Sequence, residues 1–187
     1  MTRTSGELDV VDELTTDHRE VTMLLERIDT SIDPAEKRDL ADTAITELVR
    51  HSVAEEMYVY PVMRDHLPNG AEAVEHDTRE HKELERTMKE LEGVEATDAR
   101  FTELVGELRG KLQHHVECEE REQFPQLRER VPREKLVELR GKVDMAKKVA
   151  PTRPHPGAPN NELFHKLVGP GVGLVDRVRD KLTGRGT

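Results

Sequence analysis

The chain has 187 residues, of which 34% are hydrophobic, 36% are charged and 3% are aromatic, and this length predicts one domain with an appendage. Its 29 Lys and Arg against 39 Asp and Glu give a formal net charge of −10. This charge argues against non-specific binding to nucleic acid or to an anionic membrane, so we expect neither as a partner. One cysteine, Cys118, excludes an intramolecular disulfide and fits a reducing compartment. The sequence has neither a membrane-spanning apolar run nor a secretory signal, so we expect a cytoplasmic protein.

Four segments carry apolar residues at alternating spacings of three and four, which is the period of an amphipathic helix. The first extends from Val11 to Ile28, and the second from Ala41 to Val62 after an N-cap signature at Asp33-Pro34. The third extends from Val74 to Leu91, and the fourth begins near Asp98. No stretch alternates with period two, so the pattern predicts an all-α, up-down four-helix bundle.

The rest of the chain predicts an extra C-terminal helix and a separate tail. The helix covers about Arg133–Lys147, and the four prolines of Ala150–Pro159 predict a linker. A break at Gly169-Pro170-Gly171 is expected next, and then a short basic helix. Its apolar side is expected to consist of Leu174, Val175, Val178 and Leu182. This tail could dock on the acidic bundle, contact a partner protein or stay mobile. We therefore divide the chain into a bundle with a fifth helix, residues 1–149, and a Pro/Gly-rich tail, residues 150–187.

Ionisable residues interrupt the apolar face of every helix of the predicted bundle. Each helix has one histidine there, and in the second and fourth helices a glutamate follows four residues later, on the same face. The residues concerned are His18, His51, Glu55, His81, His115 and Glu119. Burying these groups without partners costs on the order of several kcal/mol, so we interpret them as metal ligands. The alternative is a metal-free bundle with polar residues in its core.

The spacing of these residues occurs twice along the chain. His51–Arg64 aligns with His115–Arg128 at an offset of 64 residues, and His18–Val21 aligns with His81–Leu84 at an offset of 63. The sequence therefore predicts two copies of one helical hairpin related by a pseudo-twofold axis. Each of two metals would receive two imidazoles, and both glutamates could bridge the metals.

A histidine followed by HxxxE in each half resembles the hemerythrin-like (HHE cation-binding) family over about Val10–Arg130. The resemblance implies a non-haem di-iron centre, with two iron ions joined by an oxo or hydroxo bridge and the six residues as ligands. Mixed imidazole and carboxylate ligands suit iron, although zinc or manganese stays an alternative. The expected function is binding or turnover of O2, H2O2 or NO, either catalase-like or detoxifying. The alternative is a non-enzymatic sensor of oxygen, NO or iron, or a metal-binding regulatory protein.

The third helix departs from the pattern of the oxygen-carrying hemerythrins, which have HxxxH there. The residue four before His81 is Asp77, and the residue four after it is Glu85. One iron therefore either takes a carboxylate at this place or keeps an open position, and simple oxygen carriage is disfavoured. Asp77 and Glu85 are additional candidate ligands.

Four further side chains near the motifs need a separate interpretation. Tyr58, three residues after Glu55, is expected to face the same seam as a phenolate ligand or a catalytic hydrogen-bond donor, or else to be an ordinary buried tyrosine. Glu122 occupies the equivalent position in the second half and is a further candidate ligand. His114 points about 100° away from the seam and is expected either to be exposed or to contact the ligands from outside, and His76 is expected to be solvated.

Overall fold

The computed structural model describes residues 7–157 and 162–183 of the chain, with side chains for 7–157 and 171–182. These residues are helical with short connections and form no strand, which confirms the all-α class. Within the described ranges the α-helices are α1 Val10–Thr30, α2 Pro34–Ala54, α3 Tyr60–His66, α4 Gly70–Glu92, α5 Ala99–Cys118, α6 Phe124–Arg130, α7 Arg133–Val149 and α8 Glu162–Thr183.

Helix-capping residues precede three of the four helices of the bundle, and two of the three were predicted from the sequence. The Asp33 carboxylate accepts a hydrogen bond from the Ala35 backbone at the start of α2, and Asp98 accepts one from Arg100 at the start of α5. Asp9 closes a capping box before α1. Each such cap stabilises a helix by about 1 kcal/mol.

The apolar faces of α1, α2, α4 and α5 meet in one core. Among its fully buried side chains are Leu14, Leu25, Ile45, Leu84 and Leu108. Burial of a side chain of this size contributes about 1.5–3 kcal/mol, so the core holds the four helices in a fixed register. The bundle predicted from helical period is therefore the observed fold.

Two short π-helical segments interrupt the long helices: π1 at Glu55–Val59, between α2 and α3, and π2 at Glu119–Gln123, between α5 and α6. Each begins at a candidate glutamate ligand and ends directly before an aromatic residue and a proline, Tyr60-Pro61 or Phe124-Pro125. A proline inside an α-helix lacks an N–H, and its ring clashes with the carbonyl four residues earlier. The wider π turn accommodates the ring, so the chain continues as α3 and α6 with its register shifted by one residue.

Helix α7 packs along α1 and α2 and covers the first half of the bundle. Its apolar side is buried at Leu136, Leu139 and Val143. At its end, the Lys147 ammonium contacts the Asp17 carboxylate at 2.6 Å. The extra C-terminal helix is thus observed, two residues longer than the sequence predicted.

The expected break at Gly169-Pro170-Gly171 is wrong, because α8 is one helix from Glu162 to Thr183. A proline removes one backbone hydrogen bond and bends a helix, at a cost of about 3 kcal/mol, but the residues on both sides stay helical here. Gly173 has a separate role. A Cβ at this position would collide with the backbone of Val149 and Ala150, so the glycine allows α8 to cross the end of α7 closely.

The expected apolar side of α8 is exposed rather than packed. Its four residues are 51–83% exposed: Leu174, Val175, Val178 and Leu182. The buried side is instead acidic, because Asp180 contacts Thr152 at 2.6 Å and Arg153 at 2.7 Å, while Asp176 contacts His155 at 2.9 Å. Polar partners in the linker therefore orient this helix. None of the described helices is both long and apolar enough to cross a membrane.

Candidate metal centre

The four histidines predicted as ligands meet in the middle of the bundle as two pairs. The Nε2 atoms of His18 and His51 lie 3.2 Å apart, and those of His81 and His115 also lie 3.2 Å apart. All four side chains are at most 3% exposed. The first pair joins α1 to α2, and the second joins α4 to α5. Each pair therefore belongs to one of the two hairpin copies predicted from the sequence.

The two glutamates connect one histidine pair to the other. Glu55 Oε2 lies 3.1 Å from His51 Nε2 and 3.4 Å from His81 Nε2. Glu119 Oε2 lies 3.3 Å from His18 Nε2 and 3.5 Å from His115 Nε2. Each carboxylate thus contacts one imidazole of each pair, which is the arrangement expected of two bridging ligands. We call these six residues the inner ring.

Four more carboxylates surround the inner ring, and each contacts the outward-facing Nδ1 atom of one histidine. The distances are 2.9 Å for Glu120 to His18, 3.1 Å for Asp17 to His51, 2.9 Å for Glu56 to His81 and 3.0 Å for Glu80 to His115. A carboxylate at Nδ1 favours the tautomer that carries its proton there and leaves the Nε2 lone pair directed inward. We call these four residues the outer ring.

Sequence reasoning missed the outer ring, although the chain carries a signal for it. Asp17 and Glu80 directly precede His18 and His81, whereas Glu56 and Glu120 directly follow the two inner glutamates. Each acid holds a histidine of a neighbouring helix rather than the ligand beside it. Adjacent residues on a helix point about 100° apart, so the sequence suggests the acids but not their partners.

Opposite charges facing each other in the two rings shift the pKa values of His51 and Glu55. Burial opposes a charge on His51, but Glu55 and Asp17 outweigh it and raise the pKa of the imidazole to about 10. Burial likewise opposes ionisation of Glu55, but His51 and His81 hold its pKa well below the ordinary value. The centre therefore attracts positive charge, and a metal cation competes with protons for the inner Nε2 atoms.

The inner ring fits a pair of metal cations. Glu55 and Glu119 are both 0% exposed, and among the described residues no well-aligned hydrogen bond reaches any of their four carboxylate oxygens. Buried carboxylates of this kind are costly unless a cation or several donors satisfy them. Their oxygens and the Nε2 atoms form two candidate metal clusters: His18, His51, Glu55 and Glu119, and Glu55, His81 and His115. Glu55 belongs to both clusters.

Asp77 lies beside the second histidine pair. It is fully buried, and one of its oxygens accepts a hydrogen bond from Gln123 at 3.1 Å. Burial and the negative charge of Glu119 raise the pKa of its carboxyl group. Asp77 also forms a possible ligand group with Glu80 and His115. It therefore stays a candidate ligand, but it lies beside the inner ring and is not part of it.

The structure brings Tyr60, rather than Tyr58, to the inner ring. The Tyr60 hydroxyl lies 3.0 Å from His81 Nε2, and the two rings are stacked. Burial and the charges of Glu55 and Glu119 hold the pKa of this phenol well above its ordinary value. Because the π turn adds one residue, position 60 follows Glu55 on the inner face.

Three sequence-predicted residues lie away from the inner ring. Tyr58 is half-buried in a groove with Pro132 and Leu139 of the α7 region. Glu85 accepts a hydrogen bond from the backbone of His155 at 2.8 Å, and Glu122 is exposed. The α-helical spacing that places Tyr58 and Glu122 on the seam fails because both lie inside the π segments.

Fold and centre together define a cation-binding helical bundle, and the chain belongs to the hemerythrin family. Residues 9–127 match the hemerythrin HHE cation-binding domain, which confirms the resemblance seen in the sequence. The chain is 30% identical over 174 residues to an uncharacterized hemerythrin-like protein of Schizosaccharomyces pombe, covering 92% of this chain and 86% of that one.

A second relative is a DNA nickase of Nostoc sp. strain PCC 7120. Identity is 25% over 122 residues, covering 65% of this chain and 34% of the nickase. The chain therefore spans only about a third of that relative's length. No solved structure matches the chain significantly.

Proposed function

We propose that this chain is a di-iron protein that binds and turns over a small oxygen or nitrogen species, namely O2, H2O2 or NO. The observation that carries the proposal is the inner ring, in which each of two imidazole pairs shares the same two buried carboxylates. Four imidazoles and two carboxylates are too rich in nitrogen for Mg²⁺ or Ca²⁺, and they contain no thiolate for a structural zinc site. Iron suits this donor set best.

The ligand assignment follows from the pairing of the side chains. His18 and His51 would hold one iron, His81 and His115 the other, and Glu55 and Glu119 would contact both. The outer ring would fix the orientation of each imidazole and increase its basicity. When bound, the irons supply reversible one-electron redox change and a coordination position for a small ligand.

Tyr60 is the protein group best placed to act on that small ligand. Its hydroxyl reaches the second histidine pair, and its raised pKa keeps the proton on the phenol oxygen. It can therefore donate a hydrogen bond, or a proton, to an oxygen or nitrogen atom held beside His81. Tyr60 takes the catalytic role that the sequence suggested for Tyr58.

Turnover is tested by oxygen evolution from H2O2 and by anaerobic NO consumption with the iron-loaded full chain. Glu119→Ala is the matched variant that removes one shared carboxylate, and His66→Gln is the control for a histidine outside the centre. We expect the wild type and His66→Gln to exceed free iron at equal concentration in at least one assay, while Glu119→Ala does not. Rates equal to free iron for all three proteins would refute turnover of H2O2 and of NO.

A second candidate is a non-enzymatic sensor of oxygen, NO or iron, and the attachment of α8 favours it. The linker residue Arg153 contacts Glu92 of α4 and Asp180 of α8, so the tail is joined to the bundle by polar contacts that can break and re-form. A sensor requires two tail arrangements biased by the metal state. Hydrogen exchange of α8 with and without iron tests this, and identical exchange excludes the sensor.

We propose a cytoplasmic location and no nucleic-acid partner, both on the basis of composition. A net charge of −10 disfavours nucleic acid as a substrate, so the nickase activity of the Nostoc relative is not extended to this chain. A single cysteine fits a reducing cytoplasm. A duplex DNA mobility shift at physiological salt is expected to show no complex, and a stable complex would overturn this part of the proposal.

A further inference from the structure

Outside the inner ring, three side chains of α4 and α5 form a cluster of metal-binding donors at the surface. They are His76, Glu80 and His114, and each offers one donor atom within 4.8 Å of the other two. Glu80 Oε1 lies 3.3 Å from His114 Nε2, and Glu80 Oε2 lies 3.7 Å from His76 Nδ1. The cluster lies in an open depression that solvent reaches, with Arg79, Glu83 and Lys111 at its border.

The donor atoms lie near the separations that one bound metal ion requires. Two donors at about 2.0–2.1 Å from a tetrahedral zinc ion are about 3.3 Å apart. Glu80 Oε1 lies 3.3 Å from His114 Nε2, whereas His76 Nδ1 is nearer to the other oxygen, Oε2, at 3.7 Å. His76 and Glu80 lie four residues apart on α4 and so share one face of that helix, while His114 approaches from α5. His76 Nδ1 also lies 3.3 Å from Asp77 Oδ1, so a metal ion bound by all three residues requires His76 to exchange this contact for the metal.

The first half of the bundle supports a cation at this position. The pseudo-equivalents of His76 and Glu80, at the offset of 63 residues, are Glu13 and Asp17. The Lys147 ammonium contacts Glu13 at 3.2 Å and Asp17 at 2.6 Å. In the first half, therefore, the Lys147 ammonium of α7 lies directly outside the pair formed by His18 and His51.

In the second half a histidine replaces the first acid, and Glu80 has imidazole neighbours instead of an ammonium. The nearby cations are engaged elsewhere, because Arg79 pairs with Glu75 at 2.9 Å and Lys111 donates to Thr87 at 2.8 Å. Two imidazoles and a carboxylate bind divalent transition metals in preference to Mg²⁺ or Ca²⁺. The donor set thus differs between the halves: one pairs with an ammonium, and the other has the chemistry of a transition-metal site.

We propose that His76, Glu80 and His114 form a surface site for one divalent transition-metal ion, joined to the inner ring through Glu80. The junction is direct, because Glu80 Oε2 also lies 3.0 Å from Nδ1 of the inner histidine His115. An ion held outside and an ion held inside would thus be separated by one carboxylate and one imidazole. The site provides a place where a metal ion docks next to the buried centre. Its existence does not depend on the inner metals being iron.

Zinc uptake by the full chain tests this proposal, with Zn²⁺ as the probe. Iron-loaded wild type, a His76→Gln/His114→Gln double variant and His66→Gln are dialysed against the same buffered, micromolar free Zn²⁺, and zinc and iron per chain are then measured. His66 is a matched control because it is half-buried outside both clusters, with Nδ1 3.0 Å from the Val62 carbonyl oxygen. Circular dichroism verifies that all three proteins keep their helices.

We expect wild type and His66→Gln to retain one zinc per chain more than the double variant, with equal iron in all three. Equal zinc in all three proteins would overturn the proposal and leave the cluster as a set of surface ion pairs. Failure of the di-iron proposal gives a different result. In that case iron is low in every protein, and the difference of one zinc between wild type and the double variant persists.

Discussion

The two halves of the bundle are alike at the inner ring and differ around it. The Nε2 atoms of each histidine pair are 3.2 Å apart, and the contacts from Nδ1 to the outer ring are 2.9 and 3.1 Å in one half and 2.9 and 3.0 Å in the other. The two copies of the hairpin thus place their candidate ligands in the same geometry. The residues around these candidate ligands differ between the copies.

The side chains around the two pairs have diverged in polarity. Tyr60 stacks on His81, whereas its equivalent Phe124 stacks on His18 and offers no hydroxyl. The second half has the buried pair Asp77 and Gln123, where the first half has Leu14 and Val59. At these equivalent buried positions, the polar groups therefore lie beside His81 and His115. If the proposed small ligand binds, this difference favours that side of the centre.

The largest expected effect comes from the inner carboxylates, which belong to both halves. Glu55→Ala and Glu119→Ala each remove a group that contacts both histidine pairs. We expect each to lower the affinity for both metals by more than about 100-fold, beyond the range seen for indirect contacts. Metal titration of the apo-protein measures it. Loss of a single metal in either variant would contradict a shared carboxylate.

An exchange of the two aromatic residues tests whether the halves differ in function. Tyr60→Phe removes the only hydroxyl among these two positions and is expected to lower turnover about 100-fold, as for loss of a general acid, while iron content stays unchanged. Phe124→Tyr in the same background places a hydroxyl beside His18 instead. Stopped-flow kinetics with each variant distinguishes the sides, and unchanged turnover in Tyr60→Phe would exclude its proton-donating role.

The outer ring is expected to contribute less than the inner ligands, and unequally in the two halves. Asp17→Asn and Glu80→Gln should each weaken metal binding by about 10- to 100-fold. Asp17→Asn should in addition loosen α7, because Lys147 loses a partner, whereas Glu80→Gln should leave α7 unchanged. Hydrogen exchange in α7 separates these effects. Equal hydrogen exchange of α7 in the two variants would show that the contact between Asp17 and Lys147 does not stabilise α7.

The smallest expected effect concerns the attachment of the tail. The Asp176 carboxylate raises the pKa of His155, and partial burial opposes this shift. The contact therefore stabilises the docked tail fully below the unfolded pKa of about 6.5 and loses this effect as the pH rises through the higher folded value. Because the pair is partly solvated, the change is below about 1 kcal/mol.

Limited proteolysis after α7 measures this pH dependence. Cleavage of the wild type is expected to accelerate between pH 6 and pH 8 after correction for the protease. In the control His155→Gln, an amide that does not titrate replaces the imidazole, so its corrected rate should stay flat. Parallel pH profiles for the two proteins would show that His155 does not control docking.

Helical period and sequence duplication were sufficient to predict the bundle and the residues that meet at its centre. Leu14 and Leu48 are buried on the predicted apolar faces, and the offset of 63 residues places His18 and His81 at equivalent positions. Period is informative here because one face of each helix must be buried. The candidate ligands are recognisable as polar exceptions on that face.

The remaining features depend on contacts that a period does not encode. The π turn at Glu55 shifts the helical register, so Tyr60 rather than Tyr58 faces the inner ring. The apolar pattern does not encode this extra residue, which we attribute to the proline that follows Tyr60. The outer ring pairs residues of different helices, as Asp17 does with His51. In α8, polar partners in the linker outweigh the apolar stripe.

The central claim is that two cations lie between the imidazole pairs and share two carboxylates. A crystal structure of the iron-loaded chain with anomalous data at the iron edge tests it most directly. We predict two iron peaks per chain, one within reach of His18 and His51 and the other within reach of His81 and His115, both contacting Glu55 and Glu119. A single peak, or iron bound only at surface histidines, would contradict the account.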